Sequence, residues 1–192
     1  MLMKAFRDIG LTEGDTVFTH VGAGFLGYPE EGKNVDIACQ VILDAFLQIL
    51  GDTGTLLVPT YTYSYCKGEV YDPVSTPSTI GPFSELFRHY PAVERSADPI
   101  FSVAALGPRA AEFLRDLPQD CFGVDSVYDR LIQTEAKMCN VGVGFRYATL
   151  AHHVEQMMGV PYRFKKPFRG QTMLKGTLDP QTWDFNVRVL VP

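Results

Sequence analysis

The stretch from Thr16 to Val58 restricts the fold more than any other, because it sets one long amphipathic helix between two strand-like runs. Thr16-Val-Phe-Thr-His20 is rich in β-branched and aromatic residues and reads as a strand, and Thr55-Leu-Leu-Val58 reads as a buried one. Between them Asn34 suits an N-cap. Ile37, Ala38, Val41, Ile42, Ala45, Phe46 and Ile49 recur on the helical period from Val35 to Leu50, and Gly51-Asp-Thr-Gly54 supplies the stop. Strands alternating with helices define an α/β protein, whose ligands gather beyond the C-terminal ends of the strands.

The remaining chain continues the alternation. A short helix over residues 2–9 ends at Gly10, and Phe83–Arg88 is a second short helix. Arg95–Pro99 is a turn, Phe101–Ala105 a strand, Ala110–Leu117 and Asp125–Gln133 helices, and Met138–Gly142 a buried strand. The tail from Pro161 has a strand-like run at Trp183–Val191 and few helix signals. These elements predict a single domain over 1–192, a layered sandwich with a central mixed, largely parallel sheet flanked by helices. At 192 residues, 46% of them hydrophobic, the chain is long enough to bury a substantial core.

A net charge of −5 provides no basic surface for a phosphate backbone and argues against a nucleic-acid binder. Without eighteen consecutive apolar residues, no membrane-spanning helix is expected. Cys39, Cys66, Cys121 and Cys139 are widely spaced and form no Cys-x-x-Cys pair, which fits reduced thiols and a cytoplasmic location.

Three loops follow predicted strands. Gly22, Gly24 and Gly27 spell G-x-G-x-x-G, but Tyr28-Pro29-Glu-Glu-Gly-Lys continues as loop, so no helix opens there to receive a pyrophosphate. Backbone amides in such a loop can still approach a ligand closely. Pro59–Lys67 is too rich in aromatics and hydroxyls to be a spacer and is expected to line a pocket, with Tyr61 and Tyr63 as substrate-side candidates. Gly68–Pro82, carrying Pro73, Pro77 and Pro82, reads as a long irregular connection.

The third loop, Gly142–Thr149, opens the segment richest in chemistry. Thr149, His152 and Glu155 recur every third residue, which puts them on one stripe of a helix, while His153 points elsewhere. His152 is a candidate general base, with Glu155 fixing its tautomer. Spacing by itself favours a plainer reading: a half-buried histidine, a solvated Glu155, and Thr149 as N-cap with its hydroxyl on the amide three residues on. The helix start disfavours a charged His152 and Glu155 favours one, so sequence leaves the sign of its pKa shift open. A zinc site built from His152, His153 and Glu155, as in a metal-dependent hydrolase, fits poorly, because adjacent histidines diverge on a helix; no metal is expected. A non-catalytic binding module is the other alternative. Asp98 before Pro99 is most simply a turn residue.

Five ordered motifs together resemble the aminoglycoside 3-N-acetyltransferase family, also called the antibiotic N-acetyltransferase family. They are Gly14–His20 with its glycine turn, Gly54–Thr62, Arg95–Ser102 with Gly107-Pro108, Phe122–Ser126, and Thr149–Glu155 before Val160-Pro-Tyr-Arg163. The resemblance implies a cytoplasmic enzyme of antibiotic resistance or amino-sugar metabolism. It would move acetyl from acetyl-CoA directly to a small-molecule amine on an aminoglycoside or other amino sugar. His152 would be the base, Glu155 its orienting partner, and Thr149 a neighbour of the reacting carbonyl. The pantetheine arm would run along His20, Val21, Gly22, Gly24 and Phe25 and pass near Gly123 and Ser126. Members often carry His where this chain has Asp98, so Asp98 would either contact a cationic acceptor or cap the turn. Members also continue for several tens of residues, so the family's C-terminal portion is expected to be lacking here. A homodimer stays open.

Overall fold

The computed structural model describes residues 1–27 and 34–189. The loop expected at residues 28–33 and the end of the strand-like run, residues 190–192, lie outside the described residues. In chain order the elements are α1 (Leu2–Asp8), β1 (Thr16–Phe18), α2 (Val35–Leu50), β2 (Thr55–Pro59), α3 (Ser64–Lys67), α4 (Pro82–Arg88) and β3 (Glu94–Arg95). They continue as β4 (Val103–Leu106), α5 (Ala110–Leu114), α6 (Val127–Gln133), β5 (Lys137–Met138), α7 (Leu150–Met157), β6 (Arg163–Leu174) and β7 (Thr177–Arg188).

Five strands form one sheet in the order β3-β4-β2-β1-β5. β1 lies at the switch between parallel neighbours, pairing with β2 through Val17↔Leu56 and with β5 through Val17↔Lys137. The β2–β4 and β3–β4 pairs are antiparallel. The α/β sandwich with a mixed sheet is as expected, although its four pairings divide evenly rather than being largely parallel.

Because helices cover both faces, the strands read as continuous apolar runs. Val17, Leu56, Val58 and Ala104 point to one side, where α1, α2 and α4 bring Phe6, Phe46 and Phe83. Phe18, Leu57, Val103 and Ala105 point to the other, against Phe113 of α5, Tyr128 of α6 and Trp183 of β7. α2 begins as its sequence predicts, with Asn34 Oδ1 accepting the Asp36 amide at 2.8 Å. The Phe6 and Phe46 rings stack at 4.5 Å and fasten α1 to it.

Several local expectations are corrected. Arg95, expected to open the turn to Pro99, joins Glu94 in a short edge strand, and α5 stops at Leu114. α6 begins only at Val127, because Asp125 sits at φ 63°. Regular pairing of β5 covers only Lys137-Met138, with an isolated bridge Val21↔Val141 beyond it. The tail is a long two-stranded antiparallel ribbon, with β6 as its unforeseen half. Its turn is Lys175-Gly176, both at positive φ, the tight connection that matches strand twist. The Tyr71 amide and carbonyl bond Gln171 and Met173 on the ribbon, so the proline-rich connection is tied down rather than free.

Candidate active site

β1 and β5 run parallel and release their chains side by side. The Val141 amide donates to His20 O and the Gly22 amide to Val141 O, each at 2.9 Å, which joins the two glycine-bearing loops. Gly142 sits at φ +68°, and a Cβ there would stand 2.5 Å from Gly22 O. Only a residue without a side chain permits this approach. The paired loops leave His20 and Thr149 facing each other, with His20 Nε2 3.0 Å from Thr149 Oγ1.

Together with α7 these loops wall a cleft of about 780 Å³. His20, Val21, Gly22, Gly24 and Phe25 line one side, Thr149, His152 and Glu155 another, and Tyr61 and Tyr63 a third. Tyr63 is left-handed at φ 56° and is held by edge-on contacts with Tyr61 and Phe101. Such strain persists only where surrounding packing enforces it. Thr149 occupies the N-cap position of α7 but makes no side-chain capping bond. Its hydroxyl turns to His20 instead, which overturns the capping role expected from spacing.

His152 is half-buried against the rings of Phe122 and Phe101, at 5.1 and 6.2 Å. Its Nδ1 stands 3.4 Å from Glu155 Oε2, a charge contact without hydrogen-bond alignment. Burial and then the Arg163 charge lower its pKa, while Glu155 opposes them less strongly. The result is an imidazole that favours its neutral form, the form that can take a proton. Glu155 is partly exposed but paired: Oε1 accepts the Tyr162 hydroxyl at 2.9 Å and Oε2 the Arg163 Nε at 2.6 Å. Burial raises its pKa, but Tyr162 and Arg163 outweigh that and keep it low and ionised.

His153 faces away from the cleft. Its Nδ1 meets Phe122 O at 2.8 Å and its Nε2 lies 3.6 Å from Asp129 Oδ1. It therefore packs α7 onto the loop before α6, where Gln156 also bonds both oxygens of Asp120 at 3.0 Å. His152 and His153 do not converge, and among the described residues no three His, Cys, Asp or Glu side chains group to hold a metal.

Three candidates stand away from the cleft wall. Asp98 is buried, with Oδ1 accepting the amides of Ile100 at 2.8 Å and Phe101 at 2.9 Å, so it caps its turn; burial raises its pKa to about 6. Asp98 does not line the cleft. Ser126 caps α6 by accepting the Asp129 amide, and Gly123 leaves room for the Asp120 carboxylate, where a Cβ would come within 2.6 Å. They shape the loop under α7 rather than the cleft itself. Arg163, Arg146 and Tyr147 line the cleft without having been assigned a role from sequence. For Arg163 the available signal was a cation closely following Glu155 in the same motif.

Comparison with known proteins places this architecture. The family model for aminoglycoside 3-N-acetyltransferase matches residues 20–186, and the chain belongs to that family. It is 31% identical over 173 residues to aminoglycoside N(3)-acetyltransferase IX of Micromonospora chalcea, covering 80% of this chain and 59% of that protein. Aminoglycoside N(3)-acetyltransferase IV of Salmonella sp is likewise 31% identical, over 164 residues, covering 84% of this chain and 59% of the relative. The chain thus spans less than two thirds of the length of these relatives. The crystal structure of aminoglycoside acetyltransferase AAC(3)-Xa superposes with a TM-score of 0.83 at 26% identity, over 95% of this chain and 69% of that one. AAC-IIIb, solved as a binary complex with CoASH, shares the fold at a TM-score of 0.85 and 22% identity, over 97% of this chain and 74% of that one.

Proposed function

We propose that this chain forms the cleft of a coenzyme A-dependent N-acetyltransferase acting on an amino group of an aminoglycoside or other amino sugar. The observation that carries the reading is His152, kept neutral and set beside ionised Glu155 in the same cleft as the His20–Phe25 loop. His152 takes a proton from the acceptor nitrogen as that nitrogen attacks the thioester carbonyl. Glu155 stabilises the imidazolium that forms, the carbon–sulfur bond breaks, and the imidazolium returns its proton to the departing sulfur, so that coenzyme A leaves as its thiol. Transfer is direct, with Thr149 beside the reacting carbonyl and the glycine loop against the pantetheine arm. Tyr61 and Tyr63 form the acceptor side. Among the described residues no helix is long and apolar enough to cross a membrane, and a cytoplasmic location belongs to the same reading.

The test is thiol release from acetyl-CoA against a panel of aminoglycosides and nucleotide-linked amino sugars. Acceptor-dependent release that His152→Ala abolishes supports the proposal; release unaffected by that substitution removes His152 as the base.

A further inference from the structure

Behind Thr149 lies a chain of polar groups whose donors and acceptors can be assigned. His20 Nε2 meets Thr149 Oγ1 at 3.0 Å. On the far side of the ring His20 Nδ1 is buried without a hydrogen-bond partner, and so is Asn140 Oδ1. Asn140 immediately precedes Val141, whose amide bonds His20 O at 2.9 Å, so the two side chains belong to neighbouring points of the paired loops. Asn140 turns its Nδ2 toward Gly144 O, at 3.5 Å, which leaves Oδ1 for His20. A carbonyl oxygen can only accept, so a proton on His20 Nδ1 lets these two unpartnered buried atoms satisfy each other, whereas a proton on Nε2 leaves two orphaned acceptors. Nε2 is then an acceptor, and the hydrogen across the 3.0 Å contact comes from Thr149. Tyr61 lines the same cleft as Thr149, and its hydroxyl is 2.8 Å from that of Tyr128.

We infer that His20, oriented by Asn140, is a positioning residue that draws the Thr149 hydroxyl proton away from the cleft, so that Thr149 Oγ1 serves as the acceptor for an N–H of the incoming amine. This rests on the transferase reading above and gives Thr149 a task beyond lying beside the reacting carbonyl. One amine hydrogen would be held by Thr149 while His152, three residues later at the start of the same helix, removes another. In this arrangement Thr149, His20 and Asn140 align head to tail, so that each bond polarises the next. The uncharged ring that this requires of His20 agrees with its burial, which lowers its pKa to about 4.

The deciding experiment reads the ring itself. In protein labelled with ¹⁵N-histidine, two-bond correlation spectra show which nitrogen of each of the four histidines carries the proton, with His20 assigned by its loss in His20→Gln. The expected result is an Nδ1–H tautomer for His20 that is lost or mixed in Asn140→Leu. An Nε2–H tautomer in the unsubstituted protein would overturn the inference, whether or not the protein transfers acetyl groups. Kinetics then ask whether the residues act as a unit. His20→Ala and Thr149→Val are each expected to lower kcat/KM for the amine at least about tenfold at saturating acetyl-CoA, with the double variant no worse than the poorer single one. Thr149→Ser should recover most of the rate. Full additivity, or a loss confined to acetyl-CoA affinity, would overturn the positioning role while leaving the His152 assignment standing. Activity surviving His152→Ala would instead remove the transferase mechanism and leave the tautomer result intact.

Discussion

Arg163 Nε donates to Glu155 Oε2 at 2.6 Å, and that same oxygen is the one nearest His152, 3.4 Å from Nδ1. The carboxylate is therefore shared between a buried cation and the candidate base, and the cation holds it more closely. Arg163 is itself anchored, its second donor reaching Asn186 O on the neighbouring strand at 3.0 Å. The ribbon β6–β7 thereby reaches the electrostatics of α7.

Replacing Arg163 with Gln should move the acid limb of the kcat/KM profile to higher pH. Arg163 lowers the His152 pKa by its charge and by occupying Glu155. Without it the imidazolium is easier to form, and the neutral base is lost sooner as pH falls. An unmoved limb, or one displaced to lower pH, would show that Arg163 does not tune His152.

His152→Ala should reduce transfer by about 10²–10⁴-fold, the usual contribution of a positioned general base. Coenzyme A affinity measured by calorimetry should hardly change, because the glycine loop forms a separate wall of the cleft. A matching fall in affinity would place His152 in binding rather than proton transfer.

Gly142→Ala should destabilise the fold by on the order of 1–3 kcal/mol or more, since it adds a Cβ at positive φ. That Cβ would also stand 2.5 Å from Gly22 O, between the two loops of the site. Thermal unfolding should register the loss, and a variant with an unchanged midpoint would mean the loops do not hold each other as described.

The folded protein should lose part of its stability as pH falls from 6.5 toward about 4. Over that interval the unfolded chain protonates His20 while burial keeps the folded ring neutral. The stability from the neutral ring is complete above pH 6.5 and declines below it; His152 adds in the same direction. Asp98, raised to about 6, acts in the opposite sense, because the folded state binds its proton first. The measurement is therefore a difference: urea midpoints for the unsubstituted protein should fall more steeply with acidity than those for His20→Gln. Parallel curves would contradict the burial-driven shift.

Much of the fold was legible because the signals were local. The period from Val35 to Leu50 with Asn34 before it is an amphipathic, capped helix in any context that supplies an apolar surface. The apolar runs at Thr16 and Thr55 become strands buried on both faces. β6 escaped notice because Arg163-Phe-Lys-Lys-Pro-Phe-Arg169 has little strand alternation, and its pairing depends on β7 and the Lys175-Gly176 turn. Asp98 illustrates the opposite limit: its residue type suited either a turn or a ligand, and only its bonds to the Ile100 and Phe101 amides show that it caps the turn.

The sequence by itself determined which groups this protein can bring to one end of a sheet. Glycines, histidines and hydroxyls follow the strands directly, and spacing alone put Thr149, His152 and Glu155 on one stripe. Only the tertiary structure decided how those groups are partnered. Thr149 could cap its helix or meet His20, and Glu155 could remain in water or bind Arg163, with similar local chemistry in each case. The choice came from residues far apart in the chain, where parallel release of β1 and β5 set His20 opposite Thr149 and the returning ribbon carried Arg163 to Glu155.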